Sequence, residues 1–204
     1  MANATTLARA PTFFEQVVAA TPGDSRLEMC IQCGTCGGSC PSGQDMDHTP
    51  RALFALIKAE KEEDVLKSNA PWFCVSCYYC TVRCPQEVHV TDLMYTLKRF
   101  SIKKGYYKES TASDAPGFSQ TFIYFVENIG RSFELGLATV YHLTHHPLQV
   151  YKLAPFGLGM LRRGRLEISV RKEPIKGIDG LKAMLKKAKE LEEQEWLALK
   201  GGAA

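Results

Sequence analysis

Apolar side chains recur along most of this chain at intervals of three and four residues, the spacing that gathers them on one side of a helix. The first such segment opens at Thr12-Phe13-Phe14-Glu15, a Ser/Thr-x-x-Glu capping box, and predicts a helix with Phe13, Phe14, Val17 and Val18 grouped on one face. Thr21-Pro-Gly-Asp24 stops it. Thr49 followed by Pro50 reads as an N-cap with proline at the first helical position, leading Leu53, Leu56 and Ile57 along one side. A short helix through Val65 and Leu66 ends before Asn69-Ala-Pro71, and Thr91 reads as the N-cap of a longer helix bearing Leu93, Met94, Leu97 and Phe100 that ends at Gly105.

Residues 106 to 119, with Ser, Thr, Gly and Asp-Ala-Pro, predict a linker. Beyond it lie an apolar helical stretch from Gln120 to Thr144, a proline-broken one from Pro147 to Leu161, and a last helix from Asp179 to Leu199 whose apolar face is Leu181, Met184, Leu185, Ala188 and Leu191. Only Arg165-Leu-Glu-Ile-Ser-Val-Arg171 alternates as a strand does. The pattern therefore predicts a mainly α chain: an N-terminal helix over 1–24, a domain over 25–105, and a helical C-terminal region over 106–204.

Composition sharpens this at two points. With 45% hydrophobic and 23% charged residues in 204, the chain holds enough apolar surface for a packed core. Leu135 to Tyr151 carries no formal charge, yet a membrane helix needs about 20 mostly apolar residues, and this segment holds three histidines and Pro147, with Lys152 directly after. Met1 to Thr12 shows one arginine and no sustained apolar run, so neither a secretory signal nor a transit peptide is visible and the cytoplasm is expected. Thiols stay reduced there, which argues against a disulfide framework.

That matters because all eight cysteines fall in two runs, Cys30-Ile-Gln-Cys-Gly-Thr-Cys-Gly-Gly-Ser-Cys-Pro41 and Cys74-Val-Ser-Cys-Tyr-Tyr-Cys-Thr-Val-Arg-Cys-Pro85. Each is Cys-x2-Cys-x2-Cys-x3-Cys-Pro, which lets one loop wrap a cubane and ligate three of its irons, while the fourth cysteine characteristically reaches the other cluster. The expected cofactors are two [4Fe-4S] clusters, the first on Cys30, Cys33, Cys36 and Cys84, the second on Cys74, Cys77, Cys80 and Cys40. A zinc site wants paired Cys-x2-Cys elements around one ion, which fits two complete four-cysteine runs poorly. Pro41 and Pro85 turn the chain away after each fourth cysteine.

With every cysteine assigned as a ligand, no thiol remains for chemistry on a substrate, and no catalytic residue is expected. Gly157-Leu-Gly159 runs into Met-Leu-Arg and lacks the third glycine of a nucleotide loop. The remaining reading is electron transfer. Gly34, Gly37 and Gly38 let backbone N–H groups approach the first cluster, whereas Tyr78 and Tyr79 put bulk beside the second, so unequal potentials are expected with the first higher; the competing reading has the tyrosines simply facing the core. His142, His145 and His146 fall near one helix face, but no carboxylate neighbour in the sequence completes a metal site, and a contact surface or buried polar patch is the expectation.

The helix-forming segment between Cys40 and Cys74 resembles the α-helical ferredoxin domain of fumarate reductase iron–sulfur subunits and of the C subunit of heterodisulfide reductase. Pro147-Leu-Gln-Val-Tyr-Lys-Leu-Ala-Pro-Phe-Gly, Met160-Leu-Arg-Arg-Gly-Arg-Leu, Pro174-Ile-Lys-Gly177 and Leu181-Lys-Ala-Met-Leu-Lys-Lys187 look like the tail of the latter family, so that the resemblance covers most of residues 25 to 190. It implies an α-helical ferredoxin domain with two [4Fe-4S] clusters and a helical extension. It also implies two partners, a flavoprotein and a catalytic protein bearing Cys-Cys-Gly motifs, the A and B members of that complex. Between them this chain would relay electrons, in heterodisulfide reduction or in sulfur oxidation, with residues 106 to 204 packing around the cluster domain and binding these sibling subunits. It has no Cys-Cys-Gly of its own.

From Met160 to Lys189 ten Lys or Arg face only Glu167, Glu173 and Asp179, and Glu190, Glu192, Glu193 and Glu195 follow. Such a tail reads either as a docking element for an acidic partner or as a solvated helix face. An overall charge of +3 and the absence of a recognition motif argue against nucleic acid. Three rivals remain: a stand-alone ferredoxin-like carrier, against which the apolar Phe122, Tyr124, Phe125 and Phe133 count; a fumarate reductase-like iron–sulfur subunit, whose plant-type [2Fe-2S] domain has no room in the 29 residues before Cys30; and a purely structural metal-binding module, which would show metal without reversible reduction.

Overall fold

The computed structural model describes residues 10–112, 114–165 and 174–201, and among them every regular element is helical. Beyond Arg165, the alternating segment to Arg171 lies outside the described residues. They fall into two compact units, one made of residues up to 112 with those from 195 onward, the other of 114–194.

In the first unit α1 (Phe13–Ala20) begins with the predicted capping box: the Glu15 N–H donates to Thr12 Oγ1 and the Thr12 N–H to Glu15 Oε2 at 2.8 Å. Glu60 accepts from the Phe13 N–H at 2.7 Å, anchoring the helix start to a distant loop. A single helical turn, α2 (Thr35–Gly38), lies within the first cysteine run. Helix α3 (Pro50–Lys58) starts as expected, Thr49 Oγ1 accepting from the Ala52 N–H at 3.4 Å with proline at the first position. After α4 (Glu62–Lys67) come the short turns α5 (Ala70–Phe73) and α6 (Tyr79–Val82), and then α7 (Val90–Lys104), closed by Gly105 in the left-handed region.

One cap differs from expectation. The N-cap of α7 is His89, and Thr91 is its second helical residue. The Thr91 side chain turns instead to neighbours outside the helix, and its hydroxyl lies 3.8 Å from Cys80 Sγ.

The core follows from the amphipathic faces. Val17 of α1, Leu53, Phe54 and Ile57 of α3, Val65 and Leu66 of α4, and Leu93, Met94 and Leu97 of α7 are all at most 2% exposed. Burying each of these side chains stabilises the fold by about 1.5–3 kcal/mol before chain entropy is counted. Two buried hydroxyls are paired with backbone: Ser101 Oγ donates to Leu66 O at 2.7 Å, and Thr21 Oγ1 to Val17 O at 2.7 Å. Trp196 packs edge-on against Phe100 with ring centroids 5.2 Å apart.

In the second unit, the residues expected as linker are partly helical, since α8 (Asp114–Ile129) already includes Pro116 and Gly117. The long apolar stretch from Gln120 to Thr144 is broken in two, because Gly130 takes a φ of 83° and the chain turns before α9 (Glu134–His145). Phe125 and Phe133 close the corner, with centroids 6.5 Å apart. A proline-led 3-10 turn leads into α10 (Val150–Arg162), and α11 (Ile178–Gly201) ends the described chain. Within α11, Met184 and Leu191 of the predicted apolar face are 65% and 54% exposed. No helix among the described residues is long and apolar enough to cross a membrane.

Candidate iron–sulfur site

The two cysteine runs adopt the same backbone, one copy displaced from the other by the interval between Cys30 and Cys74. The Cys30 N–H donates to Leu27 O as the Cys74 N–H does to Pro71 O, and the Gly38 N–H to Gly34 O as the Val82 N–H to Tyr78 O. The Cys40 N–H donates to Gly37 O as the Cys84 N–H to Thr81 O, and the Gly43 N–H to Cys40 O as the Glu87 N–H to Cys84 O. Gln32 and Ser76 share a positive φ, 60° and 55°, and so do Gly34 and Tyr78, 84° and 60°. The left-handed region costs a residue other than glycine about 1–2 kcal/mol, so the second loop holds Tyr78 in a strained conformation that the first assigns to glycine. In sequence the repeat shows at the cysteines alone; in structure it runs from Leu27 to Gly43 and from Pro71 to Glu87.

Each copy is followed by a helix that starts beside the thiols. Cys30, Cys33, Cys36 and Cys84 line one cavity, and Cys40, Cys74, Cys77 and Cys80 line a second. Arg51 and Phe54 of α3 complete the first wall, and Thr91 and Met94, at the matching positions of α7, complete the second. Val90 lies in both walls. Sequence alone marks none of these five as a site residue, because their convergence is set by how α3 and α7 pack; Thr91 carries only the signal of a cap.

The donor set tests the cofactor. Around each cavity the donors are four cysteine sulfurs, without histidine or carboxylate in the wall, the ligand chemistry of iron–sulfur clusters. Among the described residues no three His, Cys, Asp or Glu side chains converge closely enough to hold one ion. Four cysteine sulfurs at each cavity match the ligand count of a [4Fe-4S] cubane.

Local electrostatics separates the thiols. Burial pushes Cys36 up to about 11, against a hydrogen bond from the Gly37 N–H. Burial also raises Cys80, where the hydroxyls of Thr91 and Thr81 and the Thr81 N–H pull the other way. The exposed Cys33 is held below its ordinary value by Thr35, whose Oγ1 lies 3.4 Å away. Gln32 Nε2 donates to Cys30 Sγ at 3.4 Å. Because Gly37 and Thr81 offer their N–H groups from the same place in the repeat, glycine content is not what distinguishes the two sites there. The Tyr78 and Tyr79 side chains do not face the core: they are 45% and 55% exposed, and the Arg83 guanidinium lies over Tyr79.

Elsewhere, Tyr141 packs against the rings of His142, His145 and His146, and His146 Nε2 lies 3.4 Å from Asp114 Oδ1, a carboxylate neighbour that sequence spacing does not reveal.

A family model described as a 4Fe-4S dicluster domain matches residues 26–88. The chain is 36% identical over 93 residues to the C subunit of the H(2):CoB-CoM heterodisulfide,ferredoxin reductase of Methanothermobacter thermautotrophicus, covering 46% of this chain and 50% of that protein. It is 38% identical over 80 residues to the iron-sulfur C subunit of the CoB--CoM heterodisulfide reductase of Methanopyrus kandleri, 39% of this chain and 42% of that one. Against the iron-sulfur C 2 subunit of the same enzyme in Methanocaldococcus jannaschii it is 39% identical over 79 residues, 39% of this chain and 42% of the other. The chain thus spans half or less of the length of these curated relatives, and the alignments cover less than the residues 25 to 190 over which the resemblance is expected. The dicluster match at 26–88 and the two four-cysteine cavities give the chain a 4Fe-4S dicluster domain whose cofactors are two [4Fe-4S] clusters, and over that stretch it is similar to the C subunits of heterodisulfide reductases.

Proposed function

We propose that this chain is the electron-transfer subunit of a heterodisulfide reductase-like complex. It stands between the flavoprotein, or A member, and the Cys-Cys-Gly-bearing B member that acts on disulfide or sulfur substrates, the sulfur-oxidising variant included. Its ligand sets are Cys30, Cys33, Cys36 and Cys84 for the first cluster, and Cys74, Cys77, Cys80 and Cys40 for the second.

The observation that carries this reading is the lining of the two cavities, in which the fourth cysteine of each run sits with the first three of the other. When bound, each cluster supplies a one-electron redox centre that forms no bond to a substrate. The protein's part is to hold and shield these centres. Phe54, Val88, Val90 and Met94 bring apolar surface to the walls and keep water out, while Cys33 and Cys77, the exposed thiols of their sets, leave each site one edge at the surface. Val90 belongs to both walls, which favours a relay through one continuous packed region over two separate stores.

The test is an anaerobic pull-down of the tagged native protein, with partners identified by mass spectrometry and iron counted. Recovery of a flavoprotein and a Cys-Cys-Gly protein, with about eight irons as two cubanes require, is the expected result. Recovery of the chain alone with the same iron would replace the relay role by that of a free carrier.

A further inference from the structure

The walls of the two cavities correspond at the loop cysteines and at the starts of α3 and α7, and at one of the helix positions the chemistry differs sharply. Helices α3 and α7 begin at Pro50 and Val90, and the second residue of each, Arg51 and Thr91, lines its own cavity. Arg51 is an exposed cation beside the first loop: a Cβ built on Gly34 would lie 3.4 Å from Arg51 Cδ. Thr91 is 1% exposed, and its Oγ1 lies 3.8 Å from Cys80 Sγ and 3.5 Å from Thr81 Oγ1. We infer that Arg51 and Thr91 set the potentials of the two clusters separately, the first by charge and the second by a hydroxyl hydrogen bond to a ligating sulfur.

This inference rests on the ligand sets proposed above. A thiolate bound to iron has no proton, so the hydroxyl of Thr91 donates to Cys80 Sγ; the Thr81 hydroxyl, in reach of Thr91 Oγ1, polarises that donor further. Hydrogen bonds to sulfur and nearby positive charge both favour the more negative, reduced state and raise the potential. The two devices differ in their sensitivity to solvent. Arg51 acts across exposed surface and is screened by salt, whereas the buried Thr91 contact is not.

The experiment is an anaerobic redox titration of the full, cluster-loaded chain followed by electron paramagnetic resonance, at low and high ionic strength, for wild type, T91V, T91S and R51Q. Valine keeps the shape of threonine without its hydroxyl. The expected result is that T91V lowers one of the two midpoints at either ionic strength, T91S keeps it at the wild-type value, and R51Q lowers only the other midpoint and only at low salt. Unmoved midpoints in T91V and R51Q, equal shifts in T91V and T91S, or movement of the same midpoint by both positions would overturn the inference. So would loss of the second cluster from T91V alone, which would make the hydroxyl a holding group. A C80A variant separates the two layers: retention of both clusters there would sink the ligand sets themselves, while loss of one cluster beside an unmoved T91V would leave the ligand sets standing and reject the tuning role.

Discussion

Asp47 and Asn69 hold each other in both directions: the Asp47 N–H donates to Asn69 Oδ1 at 2.9 Å, and the Asn69 N–H donates to Asp47 Oδ2 at 3.0 Å. The pair ties the segment that leaves the first cysteine run to the one that enters the second. Ser68 Oγ adds a bond to Asp47 Oδ1 at 2.5 Å, and Asn69 Nδ2 reaches Thr111 Oγ1 at 3.0 Å. Asn69→Ala is expected to destabilise the protein by about 1–3 kcal/mol, since several of its partners lose their bonds at once. A double-mutant cycle with Asp47→Ala, read by thermal unfolding in circular dichroism, is expected to show coupling of about 0.5–3 kcal/mol. Strict additivity would mean that the two residues do not act as a unit.

The same network sets a pH dependence. Burial pushes the Asp47 carboxyl up, but hydrogen bonds from Ser68, Asn69 and His48 outweigh it and hold the group below its ordinary 3.8. A depressed carboxyl contributes stability that is fully present above the unfolded value and is lost as pH falls through the folded one. Asp47→Asn is therefore expected to be less stable than wild type at neutral pH, with the difference shrinking below about pH 4 as the wild-type carboxyl takes up its proton. Paired melts from about pH 7 down to about pH 3 check this across the range in which carboxylates titrate; a gap that stayed constant would remove the carboxylate from the explanation.

Crossed lining makes an unusual prediction for the fourth cysteines. Cys40→Ser is expected to damage the second cluster although it lies in the first run, and Cys84→Ser to damage the first. Iron analysis with electron paramagnetic resonance of each variant would read this as a loss of up to about four of about eight irons, with opposite signals surviving in the two proteins. Survival of the same signal in both variants would reject crossed ligation.

Two glycines of the first loop separate conformational need from mere smallness. Gly34 has a φ of 84°, whereas Gly38 has ordinary helical geometry and nothing within 4 Å of an added Cβ. Gly34→Ala is expected to cost about 1–2 kcal/mol through backbone strain, and Gly38→Ala to be neutral or to stabilise by up to about 1 kcal/mol. Thermal melts of the two single variants decide; equal losses would show that the loop excludes any side chain.

How much of the fold and the site is legible in the sequence differs from element to element. The caps of α1 and α3 and the end of α7 at Gly105 are readable because a capping box, a Thr-Pro pair and a helix-ending glycine act through bonds and torsions within a few residues. The start of α7 misleads for the complementary reason. Thr91 has the composition of a cap, but its hydroxyl turns to Cys80, outside the helix, and no capping rule sees that neighbour. The break at Gly130 is likewise hidden inside an apolar run that reads as one helix.

The sequence by itself determined the cofactor chemistry: eight thiols in two Cys-x2-Cys-x2-Cys-x3-Cys-Pro runs suit few metal centres other than a pair of cubanes, since ligand type and spacing are covalent facts of the chain. Only the tertiary structure decided what surrounds those thiols. The packing of α3 and α7 against the repeated loops brings Arg51 to one cavity, Thr91 to the other and Val90 to both, and leaves Tyr78 and Tyr79 about half exposed, Tyr78 at the rim of the second cavity. Those neighbours arise from burial of helix faces separated by tens of residues, which a pattern read along the chain does not encode.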